Sequence, residues 1–80
     1  MKLVIFVAED TVADAAVDAL VEQGFRVTRL ASTGGFLRKG NTTLLVGIED
    51  EKVEAAIEIV RGAAKGALAI TLDLERYERM

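Results

Sequence analysis

Between Gln23 and Glu49 the chain has no acidic residue, yet four of its ten basic ones fall there: Arg26, Arg29, Arg38 and Lys39. This makes a positive island in a protein that carries thirteen acidic residues and a net charge of −3. Hydroxyls accompany the charge (Thr28, Ser32, Thr33, Thr42, Thr43), with the Asn41 amide and the glycines Gly34, Gly35 and Gly40. Such a mixture suits a small molecule bearing phosphate. Guanidinium grips phosphate oxygens with two parallel hydrogen bonds. Glycines let backbone N–H groups approach an anion. Asn41 can donate to and accept from a base edge. Phe36 offers an apolar face on which a base can stack. The same residues also suit a plain hairpin, with glycine turns, solvated cations and threonines of high β propensity. Residue types alone leave the two readings level.

Other chemistries find little support. The chain lacks His and Cys, which removes imidazole bases, thiol nucleophiles, disulfides and Cys/His zinc sites. Asp14, Asp18, Glu54 and Glu58 sit at helix-surface spacing, where a solvated face is the plain expectation. Ser32 has no His or Lys partner evident in the sequence. No catalytic residue, metal ligand or cofactor is therefore expected. Gly35 and Gly40 have the glycine spacing of a phosphate loop, but Asn41 follows where that motif needs Lys, and the segment leads into a strand. Acidic balance argues against coating nucleic acid or an acidic membrane.

Eighty residues, 51% of them hydrophobic, make one small domain, residues 1–80. The apolar run 3–8 ends at Glu9-Asp10, too short for a signal sequence or a membrane span, so a cytoplasmic location is expected. The Asn41-Thr42-Thr43 sequon is taken as chance. Residues 2–8 read as a central strand covered on both faces. A helix follows to about Gln23, capped by Asp10 or Thr11, with Thr11 and Asp14 as an approximate capping box, and closed by Gly24. Strands are expected at 25–32 and 41–48. A second helix runs from an Asp50 N-cap to Gly62, and a last strand covers 67–74, with a charged tail after it. The order βαββαβ predicts an α+β, ferredoxin-like domain: a four-stranded antiparallel sheet with both helices on one face.

Two helices cover only one sheet face. In the first strand both rows are apolar, Val4-Phe6-Ala8 and Leu3-Ile5-Val7. An uncovered apolar face is rare on a monomer, so a homo-oligomer is expected to bury it, a monomer with a greasy open face being the other reading.

At this point a family resemblance enters. Phe25-Arg26-x-Thr28, the run from Leu30 to Arg38, Gly40-Asn41-Thr42-Thr43 and Gly47 closely resemble the PII-like cyclic-di-AMP receptor proteins of bacteria. The resemblance implies a homotrimer with ligand clefts between neighbours and a signalling role without catalysis. It implies that Arg26 and Thr28 contact phosphate. Gly35, Phe36 and Leu37 would wall the nucleotide, and Asn41 and Gly47 would help hold an adenine. Cyclic-di-AMP is the leading ligand, with another adenine nucleotide second and a downstream protein as signalling partner. The chain departs from the family pattern in two places. Gly24 stands where members have Asn, and only residues 62–66 stand where members have a long excursion. Three other readings compete: a trimeric structural or protein-interaction module without ligand, an RNA-recognition domain, and an enzyme. An RNA-recognition domain should display exposed aromatics on its strands.

Overall fold

The computed structural model describes residues 1–30 and 40–75. In chain order the elements are β1 (Lys2–Glu9), α1 (Asp10–Glu22), β2 (Val27–Leu30), β3 (Asn41–Ile48), a single 3-10 turn (Asp50–Lys52), α2 (Val53–Ala63) and β4 (Leu68–Asp73). The four strands form one antiparallel sheet in the order β2-β3-β1-β4. This is the expected ferredoxin-like βαββαβ architecture. Among the described residues, no helix is long and apolar enough to cross a membrane.

Strand register divides the side chains between two faces, because directly opposed residues of an antiparallel pair project to the same side. Val4 pairs with Val46 and Phe6 with Leu44. These four, with Ala8 and Ile48, are buried beneath the helices. Alpha-helical periodicity supplies the other half of the core: Ala13, Ala16 and Leu20 from α1, Ala56 and Val60 from α2. Alanines at the helix contacts let the backbones lie close to the sheet.

The opposite face is apolar too. Leu3, Ile5 and Val7 of β1 stand opposite Leu72, Ile70 and Leu68 of β4. Those three β4 residues are 47%, 41% and 56% exposed. Thus β4 turns its large side chains away from the helices and sets small Ala69 beside Phe6.

Gly24 does end α1. Its φ is +89°, and the N–H groups of Gly24 and Phe25 donate to the carbonyls of Val21 and Leu20, both at 3.0 Å. This is the Schellman arrangement, with Phe25 packed against the core beside Leu20.

The helix starts differ from expectation. The N-cap of α1 is Glu9, without a side-chain cap. Thr11 and Asp14 form no capping box, because the nearby carboxylates have more distant partners. Asp14 accepts from Arg29 of β2 at 2.5 Å, and Asp10 accepts from Thr42 of β3 at 2.6 Å. Asp50 does not cap α2 either. Its carboxylate lies 3.0 Å from the Met1 ammonium, which holds its pKa below the usual carboxylate range, and α2 begins at Val53 after the 3-10 turn. The helix also runs one residue past Gly62, to Ala63. Described strand β2 is shorter than expected at its start, since Phe25 and Arg26 precede the ladder.

Two measurements test these local forces. A Cβ on Gly24 meets no atom within 4 Å, so a substitution there acts through backbone strain alone. Gly24→Ala should lower the unfolding free energy by about 1–2 kcal/mol in urea titration, and Gly24→Asn by less, since Asn tolerates positive φ better. Secondly, the hydrogen bond to Asp73 raises the Lys2 pKa, aided by the attraction of Asp73 and Asp50 and opposed by desolvation. The folded pKa being the higher, this contribution is present below the unfolded pKa and lost as pH rises through the folded one. Asp73→Asn should move the Lys2 titration down in NMR and flatten the melting-temperature curve above about pH 10.

Candidate functional site

The Schellman turn aims the chain from α1 into β2 and sets Arg26 just ahead of the ladder. Thr28 follows inside it, opposite Leu45. Leu45 in turn stands opposite Ile5, so Thr28 lies on the open sheet face. Gly47 stands opposite Leu3 on the same face. Arg26, Thr28 and Gly47 therefore meet, and they line one hollow of about 430 Å³ together with Leu3, Leu45 and Leu74. That volume lies within the range of small-ligand pockets. Both Arg26 and Thr28 are exposed, so the guanidinium and hydroxyl are available to an incoming anion.

The hollow joins the Arg26 guanidinium, the Thr28 hydroxyl and the bare backbone at Gly47 with Met1 and aliphatic walls. Arg26 can take two oxygens of a phosphate, and Thr28 can donate to a third. Gly47 leaves room for a flat ring to lie on the strand. The aliphatic wall was not singled out from the sequence. Its signal was there in the second apolar row of β1, once that row is extended to Leu45 by register.

Arg29 is different. It stands opposite buried Leu44, so it projects to the helix side, where it pairs with Asp14. Of the positive island, then, Arg26 faces the hollow and Arg29 staples β2 to α1. Gly35, Phe36, Leu37, Arg38 and Lys39 lie outside the described residues.

Asn41 is not part of this hollow. It opens β3 opposite Glu9, six residues before Gly47, which is about 20 Å along a strand. Its position is well fixed: the Asp10 N–H donates to the Gly40 carbonyl at 2.8 Å, and Thr42 is tied to Asp10. Asn41 and Gly47 share a face but cannot touch one ring from the same chain. On that face between them, Thr43 is buried with a hydroxyl that finds no hydrogen-bond partner among the described residues.

The carboxylates considered for catalysis stay on the surface. Asp14, Asp18, Glu54 and Glu58 are all exposed; Asp14 pairs with Arg29 and Glu58 with Arg61. Among the described residues no cluster of acidic groups could hold a metal ion. The open sheet face shows no aromatic side chain among them either: Phe6 is fully buried and Phe25 packs against the core. A stacking platform for RNA is therefore missing from the described strands.

Comparison with known proteins agrees with this fold. A solved structure of a functionally unknown protein from Pediococcus pentosaceus ATCC 25745 matches with a TM-score of 0.85 and 35% sequence identity. The match covers 99% of this chain and 96% of that one. A family model described as cyclic-di-AMP receptor matches residues 1–76, a span that contains the hollow, both helices and all four strands. The chain belongs to the cyclic-di-AMP receptor family.

Proposed function

We propose that this protein is a non-enzymatic signalling receptor that binds cyclic-di-AMP, or a related adenine nucleotide, between the copies of a homotrimer. The observation that carries the reading is the meeting of Arg26, Thr28 and Gly47 in one hollow on the open sheet face. Arg26 and Thr28 hold the phosphates, and Gly47 lets an adenine lie close. Family membership supplies the ligand class.

The trimer rests on the open face. Leu68, Ile70 and Leu72 are exposed beside half-buried Leu3, Ile5 and Val7, and completing the burial of such side chains is worth about 1 kcal/mol or more apiece. The hollow opens beside this apolar ribbon, so a second copy seated on the ribbon becomes a wall of the site. The distance between Gly47 and Asn41 then has a use. Asn41 reaches the ligand from a neighbouring copy, while Arg26, Thr28 and Gly47 come from the first; Gly35, Phe36 and Leu37, which the resemblance also gives to the ligand, lie outside the described residues.

Binding should be visible by calorimetry with cyclic-di-AMP, ATP and AMP. Arg26→Ala should weaken cyclic-di-AMP by roughly tenfold to a hundredfold, from the loss of a charge-assisted pair worth about 1.5–3 kcal/mol. Heat from none of the three ligands, with the assembly intact, would favour the ligand-free interaction module instead. Equal binding by wild type and Arg26→Ala would remove this site altogether.

Assembly is tested separately. Ile70→Asp puts a charge at an exposed strand position, so the protomer should still fold. In sedimentation it should move from the three-copy species to the 8.6 kDa chain. A wild-type protein that sediments as 8.6 kDa at low micromolar concentration refutes the trimer. Mixing Arg26→Ala and Asn41→Ala proteins after unfolding and refolding should recover part of the binding that each alone has lost. No recovery means that both residues serve from the same copy.

A further inference from the structure

Asn41 is held from both sides by one residue of another element. The Asp10 N–H donates to the Gly40 carbonyl at 2.8 Å, and the Asp10 carboxylate accepts from the Thr42 hydroxyl at 2.6 Å. Asp10 opens α1, whereas Gly40 and Thr42 are the chain neighbours of Asn41 at the start of β3. The main chain and the side chain of Asp10 thus bracket a single position.

Each of the two bonds answers a need on both sides. The first N–H groups of a helix have no acceptor within it. Glu9, the N-cap of α1, makes no side-chain bond to them, and the Gly40 carbonyl serves Asp10 instead. Gly40 reaches it with φ at +91°, a bend that residues with a Cβ rarely adopt. Thr42 is buried on the helix side, opposite Ala8, so its hydroxyl needs a partner there. The Asp10 carboxylate is that partner, and negative charge is favoured at the start of a helix. Asp14, one turn on, takes Arg29 of β2, but at an exposed position where an ion pair adds little.

Alternation along the strand converts these holds into an aim. With the Thr42 side chain kept toward the helices, the residue before it projects to the open face, opposite Glu9. Asn41 is also the first residue of its strand, where a ladder opens most readily, and the hold on Gly40 lies just ahead of it.

We infer that Asp10 is a positioning residue: it aims Asn41 across the open sheet face at the nucleotide, without touching the nucleotide itself. The inference rests on the function proposed above for what is bound, and on the two hydrogen bonds for the aim.

A thermodynamic cycle tests it. Cyclic-di-AMP is titrated into wild type, Asp10→Ala, Asp10→Asn and Thr42→Val, each with and without Asn41→Ala. Asp10→Ala and Thr42→Val should each weaken binding about threefold to tenfold, the fold-change of one net hydrogen bond, and together no more than either. Asp10→Asn keeps an acceptor oxygen and should bind like wild type. In the Asn41→Ala protein, Asp10→Ala should weaken binding no further, because the residue it acts through is gone. Equal weakening with and without Asn41 marks a general structural role and overturns the inference, as does unchanged affinity in Asp10→Ala. In the same proteins without nucleotide, the Asn41 side-chain amide resonances should move in Asp10→Ala and far less in Asp10→Asn. Unmoved resonances in Asp10→Ala overturn the inference even where wild type binds no nucleotide, a result that by itself removes only the receptor reading.

Discussion

Apolar side chains on both sides of the central strands set the terms for this molecule. Val4, Phe6, Leu44 and Val46 are consumed by the helices within a single protomer. Leu3, Ile5, Val7 and Leu45 have the same need and no helix to meet it. Burial of apolar surface is the largest favourable term in folding and in association alike. One and the same force thus closes the core and leaves the opposite face apolar and exposed. The hollow lined by Arg26 and Thr28 lies at the margin of that face.

Charge is arranged around this apolar frame in two ways. Some ion pairs are structural. Arg29 and Asp14 join β2 to α1, and Lys2 and Asp73 join β1 to β4. All are substantially exposed on at least one side, so each adds little to stability. Their larger effect is positional, since β2 is a short edge strand and Thr28 moves with it. Arg26 is placed differently. It sits just outside the ladder, beside the hollow, in a stretch of sequence free of carboxylates. An anion approaching there meets no fixed negative charge on β2 or β3.

Much of the fold was legible in the residues. Period-two alternation marked β4, doubled apolar rows marked β1, and Gly24 marked the end of α1 through its tolerance of positive φ. The helix starts were not legible. A carboxylate near a helix N-terminus looks the same in sequence whether it caps the helix or reaches elsewhere. Asp10, Asp14 and Asp50 took partners at Thr42, Arg29 and the Met1 ammonium, and only the folded chain brings those within reach. For the candidate site, Arg26, Thr28 and Gly47 could be named from their motif, but Leu45 and Leu74 could not. They join the site through strand register, and register depends on pairing partners that are distant in the chain.

The sequence by itself determined which residues are greasy, which are charged and where the backbone must bend, since these are properties of side chains and of glycine. It therefore determined the order of strands and helices and the excess of apolar rows. Tertiary structure alone decided that Arg26 faces a hollow while Arg29, three residues on, is spent on Asp14. It also decided that Asn41 and Gly47, near neighbours in the motif, lie far apart on one strand. The physical reason is the pleat: a strand separates by about 3.3 Å per residue and alternates its faces, so closeness in sequence becomes distance along the sheet, and contact is made across it.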